Sequence, residues 1–260
     1  MTTTAPNSVD VVLTAFSCSN AAPCNEWAKR WFKEPPKVVW VPGADSLQFE
    51  NAGTSAGQDL VAWAAAHAQC LPSEVRRIAA VTFSAGWGFA YRLMRSPTVG
   101  ALDTVLLLDG MHTHDLGGPK VFAECAAHGD PTNPTLIMAH SQIVPPFVPS
   151  KVTNTEIMDA AKACWPGGIA AVDAPDYVSH AALDAPVTCG NQYGKHTFTD
   201  DPLAAQENAG NCWRMEYAGN DAAIHIYIAT VAQPRYWRWL AERWADPTAG
   251  VQPNRPAPAA

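Results

Sequence analysis

Three side chains in this sequence have the types needed to drive a hydroxyl into a carbonyl: Ser84, Asp109 and His225. A serine hydroxyl is a weak nucleophile at neutral pH. It needs a base within hydrogen-bond reach, and the base needs a partner that fixes its tautomer and stabilises its cation. Ser84 stands in Ala79-Ala80-Val81-Thr82-Phe83-Ser84-Ala85-Gly86-Trp87-Gly88, an apolar run that enters small residues and leaves through the helix-forming Phe89-Ala90-Tyr91-Arg92-Leu93-Met94. A serine between a strand and a helix occupies a sharp turn, which pushes its hydroxyl out at the carboxyl edge of a sheet. The residues two before and two after it crowd together there, so small side chains are wanted. Gly86 meets that need, whereas the β-branched Thr82 stands where glycine is commonest. The pentapeptide fits an ordinary strand-to-helix turn capped by Ser84 as well.

Asp109 closes Thr104-Val105-Leu106-Leu107-Leu108, the next strand-like run after Ser84. A carboxylate behind such a run is partly desolvated and costly unless paired. Gly110 lets the chain turn sharply behind it; the bland reading is a surface Asp-Gly turn. Asp221, in the loop leading to His225, competes for the role of acid, and Glu216 is a more distant rival. Of eight histidines, His225 is the one that follows the last strand-like run and precedes a closing helix. A plain core histidine is its alternative.

For such groups to meet, each must come from a loop at the carboxyl end of a parallel strand. The hydrophobic pattern predicts strands at 10–16, 38–41, 78–83, 104–109, 135–140 and 213–217. It predicts helices at 25–32, 55–68, 89–94, 156–164 and 235–244. Strands apolar along their length and alternating with helices imply an α/β fold, a mainly parallel sheet of about six strands with helices on both faces. The alternation lapses at 141–211, where Pro145-Pro146, Trp165 and Tyr177 fall in a long insertion expected to act as a cap or lid. Residues 1–245 are read as one domain, and 246–260, with Pro247, Pro253, Pro256 and Pro258, as a disordered tail.

With 260 residues, 48% of them hydrophobic and 16% charged, the chain can bury a substantial core. A net charge of -7 and the lack of a Lys/Arg cluster argue against a nucleic-acid partner. No window offers the ~20 apolar residues of an integral membrane span. The start, Met1-Thr2-Thr3-Thr4-Ala5-Pro6-Asn7, lacks a basic region and an apolar core, so a cytoplasmic location is expected, with export by another route left open. Seven cysteines without a C-x-x-C pair read as reduced thiols; Cys18–Cys24, or a bridge among Cys164, Cys189 and Cys212, is the alternative. No dinucleotide fingerprint or P-loop is present, so no cofactor is implied.

The segment Asp109-Gly110-Met111-His112-Thr113-His114-Asp115 invites a metal reading, with His128 or His140 as further ligands. The preferred expectation is no metal, with His112 and His114 at the mouth of a substrate pocket. Trp87, three residues past Ser84, is expected to wall that pocket.

Over about residues 9–245 the chain resembles an α/β-hydrolase, through the nucleophile elbow Thr82-Phe83-Ser84-Ala85-Gly86, the acid Asp109 and the late His225. In that family the acid more often follows the next strand, which here ends in His140-Ser141 with no carboxylate close behind. The resemblance implies an oxyanion hole made by the backbone N–H of Ala85 and that of Phe16 or Ser17. It implies a serine hydrolase cleaving a carboxylic ester of a small-molecule or lipid-like acyl substrate through an acyl-enzyme. Thioesterase, amidase or acyltransferase chemistry uses the same groups, and a non-catalytic binding protein is the alternative from another class.

Overall fold

Side chains along the central strands alternate between two cores, as a pleat with a period of two requires. Val11, Leu13, Ala80, Leu107 and Met138 point to one core, and Val12, Ala79, Val81, Leu106 and Ile137 point to the other. Both faces of the sheet are therefore covered, which is why these runs are apolar throughout rather than alternating. The computed structural model describes residues 8–16, 22–129, 133–143, 148–165, 174–191 and 194–245.

The first half of the chain runs β1 (Val9–Phe16), α1 (Ala22–Trp31), β2 (Lys37–Trp40), α2 (Ser46–Ala56), α3 (Leu60–Ala68), β3 (Val75–Phe83), α4 (Trp87–Met94) and β4 (Leu102–Leu108). Next come α5 (Gly117–Ala127), β5 (Thr135–His140), α6 (Ser150–Cys164) and α7 (Asp176–Ser179). The chain then forms β6 (Val187–Asn191), β7 (Gly194–Phe198), β8 (Leu203–Ala209), β9 (Cys212–Tyr217), α8 (Ala222–Tyr227) and α9 (Gln233–Ala245), with a π-helical turn joining the last two. The sheet has seven strands in the order β2-β1-β3-β4-β5-β9-β8. All neighbours are parallel except β8, which runs antiparallel to β9 at the edge. The fold is α/β, with an α/β-hydrolase-like arrangement.

Three differences from the sequence reading have local causes. The helix expected at 55–68 is α3, which starts only at Leu60, and α2 before it was not anticipated: Gly57 closes α2, and the Asp59 side chain caps α3 by accepting the Ala62 N–H at 3.0 Å. Gly57 also lies against Ser96, where a Cβ would come within 2.6 Å of the Ser96 Cβ. Helix α5 was not anticipated because it opens on Gly117-Gly118-Pro119. Strand β8 was missed because Leu203-Ala204-Ala205-Gln206-Glu207-Asn208-Ala209 lacks β-branched residues. Pairing with β9 and the cross-strand ion pair Glu207–Arg214 hold it in place.

The 141–211 insertion is distributed through the molecule. Helix α6 lies in the helix layer, with Ile157, Met158 and Ala161 in the first core, and β8 extends the main sheet. The β6–β7 hairpin packs on α8 through Phe198 and Tyr227, whose rings are 4.8 Å apart, and α7 meets α9 through Tyr177 and Glu242. Pro145-Pro146, and the expected tail at 246–260, lie outside the described residues. Among the described residues no helix is long and apolar enough to cross a membrane.

Candidate active site

Ser84 follows β3 directly, at φ +53, a left-handed conformation uncommon for any residue but glycine. The chain enters a tight 3-10 turn there and then α4, so the side chain stands at the carboxyl edge of the sheet. Gly86 has no room for a side chain: a Cβ would lie far inside van der Waals contact with the Ala15 carbonyl oxygen. Thr82 is accommodated because its side chain is buried within the strand layer, paired in register with Ala15 and Leu107. Close approach is thus concentrated at Gly86.

Asp109 follows β4 at φ +45, and Met111 is also left-handed at φ +68. Between them, Gly110 is pressed against the serine turn, where a Cβ would lie 2.8 Å from the Trp87 Cβ and 3.0 Å from the Ser84 carbonyl oxygen. The Asp109 carboxylate is 2% exposed. Its Oδ2 lies 2.6 Å from His225 Nδ1, and Ser141 brings its backbone N–H to Oδ1 at 2.7 Å. Burial alone would raise the carboxyl's pKa. The bond and charge of His225, with the donors of Ser141, outweigh that and hold it below the usual carboxylate range.

His225 sits in α8, the helix that follows β9 after the loop 218–221. Asp221 caps that helix, its Oδ1 accepting the N–H groups of Ala223 at 3.0 Å and Ile224 at 3.2 Å. Glu216, the other rival acid, is engaged by Gln142 and Lys151. The imidazole stacks on Phe83, the residue before Ser84, at 4.4 Å between centroids. Among the described residues, no hydrogen bond joins Ser84 to His225.

Ser84, Asp109 and His225 line one cavity of about 310 Å³. His112, Ile143, Ser150, Asn220, Asp221 and Ala222 complete its described wall. His112 Nδ1 lies 2.9 Å from the Val148 carbonyl oxygen, and burial lowers the pKa of the ring. The other two expected pocket residues lie elsewhere. Trp87 is a core residue, 8% exposed, with its ring edge-on to Tyr91. His114 is exposed and does not line the cavity. Ala85 is half-buried in the turn after Ser84. Phe16 ends β1 in register with Phe83, and Ser17 lies outside the described residues.

Sequence reasoning missed Ser141, Ser150, Ile143 and Asn220. Ser141 had a signal: it follows β5 just as Ser84 and Asp109 follow β3 and β4. Among the described residues, no group of three or more His, Cys, Asp or Glu side chains is arranged to hold a metal ion. His128 is exposed at the end of α5, and His140 is buried against Ser141 and Arg214. Cys164, Cys189 and Cys212 are free thiols, while Cys18, the alternative partner of Cys24, lies outside the described residues. The chain matches no protein-family model, and no curated protein matches it.

Proposed function

We propose that this protein is a serine hydrolase of the α/β-hydrolase type that cleaves a carboxylic ester through an acyl-enzyme. The observation that carries this reading is the 2.6 Å contact between Asp109 and His225 at the wall of the cavity that Ser84 also lines. A buried carboxylate on Nδ1 fixes the tautomer that leaves Nε2 as the base.

In this reading Ser84 Oγ attacks the acyl carbon while its proton passes to His225 Nε2. Asp109 stabilises the resulting imidazolium. The tetrahedral oxyanion is held by the backbone N–H of Ala85, at the start of α4 where the helix dipole favours negative charge, and by that of Phe16 or Ser17. Collapse breaks the bond to the leaving alcohol, which takes the proton from His225. Water then attacks the acyl-enzyme with His225 as base, releasing the acid and restoring the Ser84 hydroxyl.

The left-handed backbone at Ser84 supports the nucleophile role, since strain of that kind clusters at functional sites. A small-molecule acyl substrate suits a cavity of about 310 Å³, at the low end of small-ligand pockets.

A fluorophosphonate probe tests the reading. Wild type is expected to be labelled and Ser84→Ala to lose labelling together with ester turnover. Labelling that survives the substitution would assign the nucleophile elsewhere. Ester, thioester and anilide substrates assayed side by side identify the acyl linkage that is cleaved.

A further inference from the structure

We infer that Ser141, with Ser150 behind it, is a positioning residue that holds the Asp109 carboxylate in the orientation that faces His225. The inference rests on the hydrolase reading above and extends it to Ser141, which does not line the cavity, and to Ser150 on the cavity wall.

An ionised carboxylate offers about four acceptor sites, and one buried away from water needs donors for most of them. His225 occupies one site on Oδ2. Ser141 supplies the rest of the close donors: its N–H lies 2.7 Å from Oδ1, and its hydroxyl lies 2.9 Å from both oxygens. A hydroxyl has one proton, so it donates to one oxygen at a time. The Ile143 N–H points at the same hydroxyl oxygen from 3.3 Å, using its lone pair and turning its proton toward the acid. Ser150 Oγ stands 3.3 Å from Oδ1, a longer and weaker contact. Ser141 and Ser150 are 0% and 1% exposed, so water does not compete for either group.

The surrounding structure holds Ser141 in turn. Arg214 Nη1 lies 3.3 Å from His140 Nε2, and an arginine can only donate. His140 therefore carries its proton on Nδ1 and donates it to the Ser141 carbonyl, 3.1 Å away. On the other side, Thr153 of α6 donates to the carbonyl of Met111, fastening the left-handed loop that carries Asp109 to the helix that carries Ser150. The acid is thus gripped from β5 and α6 together.

The test compares Ser141→Ala with wild type in the full chain. The expected result is a 10–100-fold loss of kcat with KM within about two-fold. The low-pH limb of kcat/KM should also move to higher pH. A carboxylate stripped of donors attracts a proton more strongly, so the Asp109–His225 pair takes one up at higher pH and the base is lost sooner on acidification. The titratable groups that sense Asp109 are His225 on α8, His112 in the loop after β4 and His140 on β5. On the neighbouring elements, Lys151 and Arg214 face Glu216 and Glu207, and Asp221 is engaged in capping α8. Ser150→Ala should shift the limb the same way by less, and Ser141→Thr, which keeps the hydroxyl, should recover part of the lost kcat. An unshifted limb in both alanine variants overturns the inference, whether kcat is preserved or falls along with thermal stability. Fluorophosphonate labelling of Ser84 keeps the two proposals apart: labelled protein with an unshifted limb sinks the role of Ser141 alone, whereas labelling that persists in Ser84→Ala sinks the hydrolase reading.

Discussion

The imidazole of His225 rests on the ring of Phe83, with centroids 4.4 Å apart and planes tilted by 32°. Phe83 is the last residue of β3, so the strand that delivers Ser84 also supports the histidine. Aromatic contacts of this kind contribute about 0.5–1.5 kcal/mol beyond area burial. Phe83→Leu keeps an apolar side chain and removes the stacked face. If the support acts fully in the transition state, kcat should fall by about 2–10-fold, measured on a simple ester at saturating substrate. A kcat equal to wild type would mean that the contact to Asp109 alone orients the ring.

The two carboxylates near His225 separate cleanly by substitution. On the proposed mechanism, Asp109→Asn retains the shape but loses the charge that stabilises the imidazolium, and turnover should drop by about 10⁴-fold, as the same change does in Ser-His-Asp hydrolases. Asp221→Asn should cost less than about two-fold, because asparagine caps helices as well as aspartate and Asp221 bonds only the backbone N–H groups of α8. Initial rates of the purified variants decide between them, and the reverse order would transfer the acid role to Asp221.

Gly110 shows how closely the acid loop and the serine turn depend on each other. A Cβ there would press on the Trp87 Cβ at 2.8 Å and the Ser84 carbonyl oxygen at 3.0 Å. Gly110→Ala should therefore move Asp109 and Ser84 apart, lowering kcat by at least about 10-fold, while overpacking costs about 1–3 kcal/mol of stability. Denaturant titration and steady-state kinetics on the same preparation measure both.

What could be read from the sequence followed burial. Strands β1, β3, β4 and β5 are apolar on both faces and were recognisable, as were the residues that follow them, Ser84 and Asp109. The edge strand β8 carries Gln206, Glu207 and Asn208, and edge position rather than propensity made it a strand. Trp87 was placed at the pocket wall because it is close to Ser84 in sequence. It lies on the side of α4 that faces the core, which position along the chain does not reveal. Ser141 and Ser150 escaped notice because a single serine after a strand, or at a helix start, has many ordinary roles. Only the position of Asp109 between them shows what these hydroxyls donate to.

Stability should fall on acidification in two stages. Burial lowers the pKa of His140, with the neighbouring Arg214 cation pushing the same way, and burial also lowers that of His112. For both, the unfolded chain binds the proton more readily than the folded one. Their contribution is complete above the ordinary histidine value of about 6.5 and is lost as pH falls through the depressed folded values. Asp109, Glu207 and Glu216 are also held below their usual range, so theirs is complete above about pH 4 and is lost below it. Urea unfolding at pH 8, 6, 5 and 4 should show a first decline between 6.5 and 5 that His140→Gln reduces. A free energy flat down to pH 4.5 would contradict this.

Substrate size should respond to Ala222. It is the first residue of α8 and lines the cavity together with Ser84 and His225. In a pocket of about 310 Å³, replacing the methyl with an isobutyl group removes a substantial share of the free space. Ala222→Leu should lower kcat/KM for longer acyl esters while acetyl esters retain most of theirs, since each methylene excluded from an apolar wall is worth about 1–3 kcal/mol in discrimination. Ile143→Ala, on the described wall of the same cavity, should shift preference toward longer chains. A chain-length profile from acetyl to octanoyl esters reads both changes. Parallel profiles for the two variants would place the acyl chain outside this cavity.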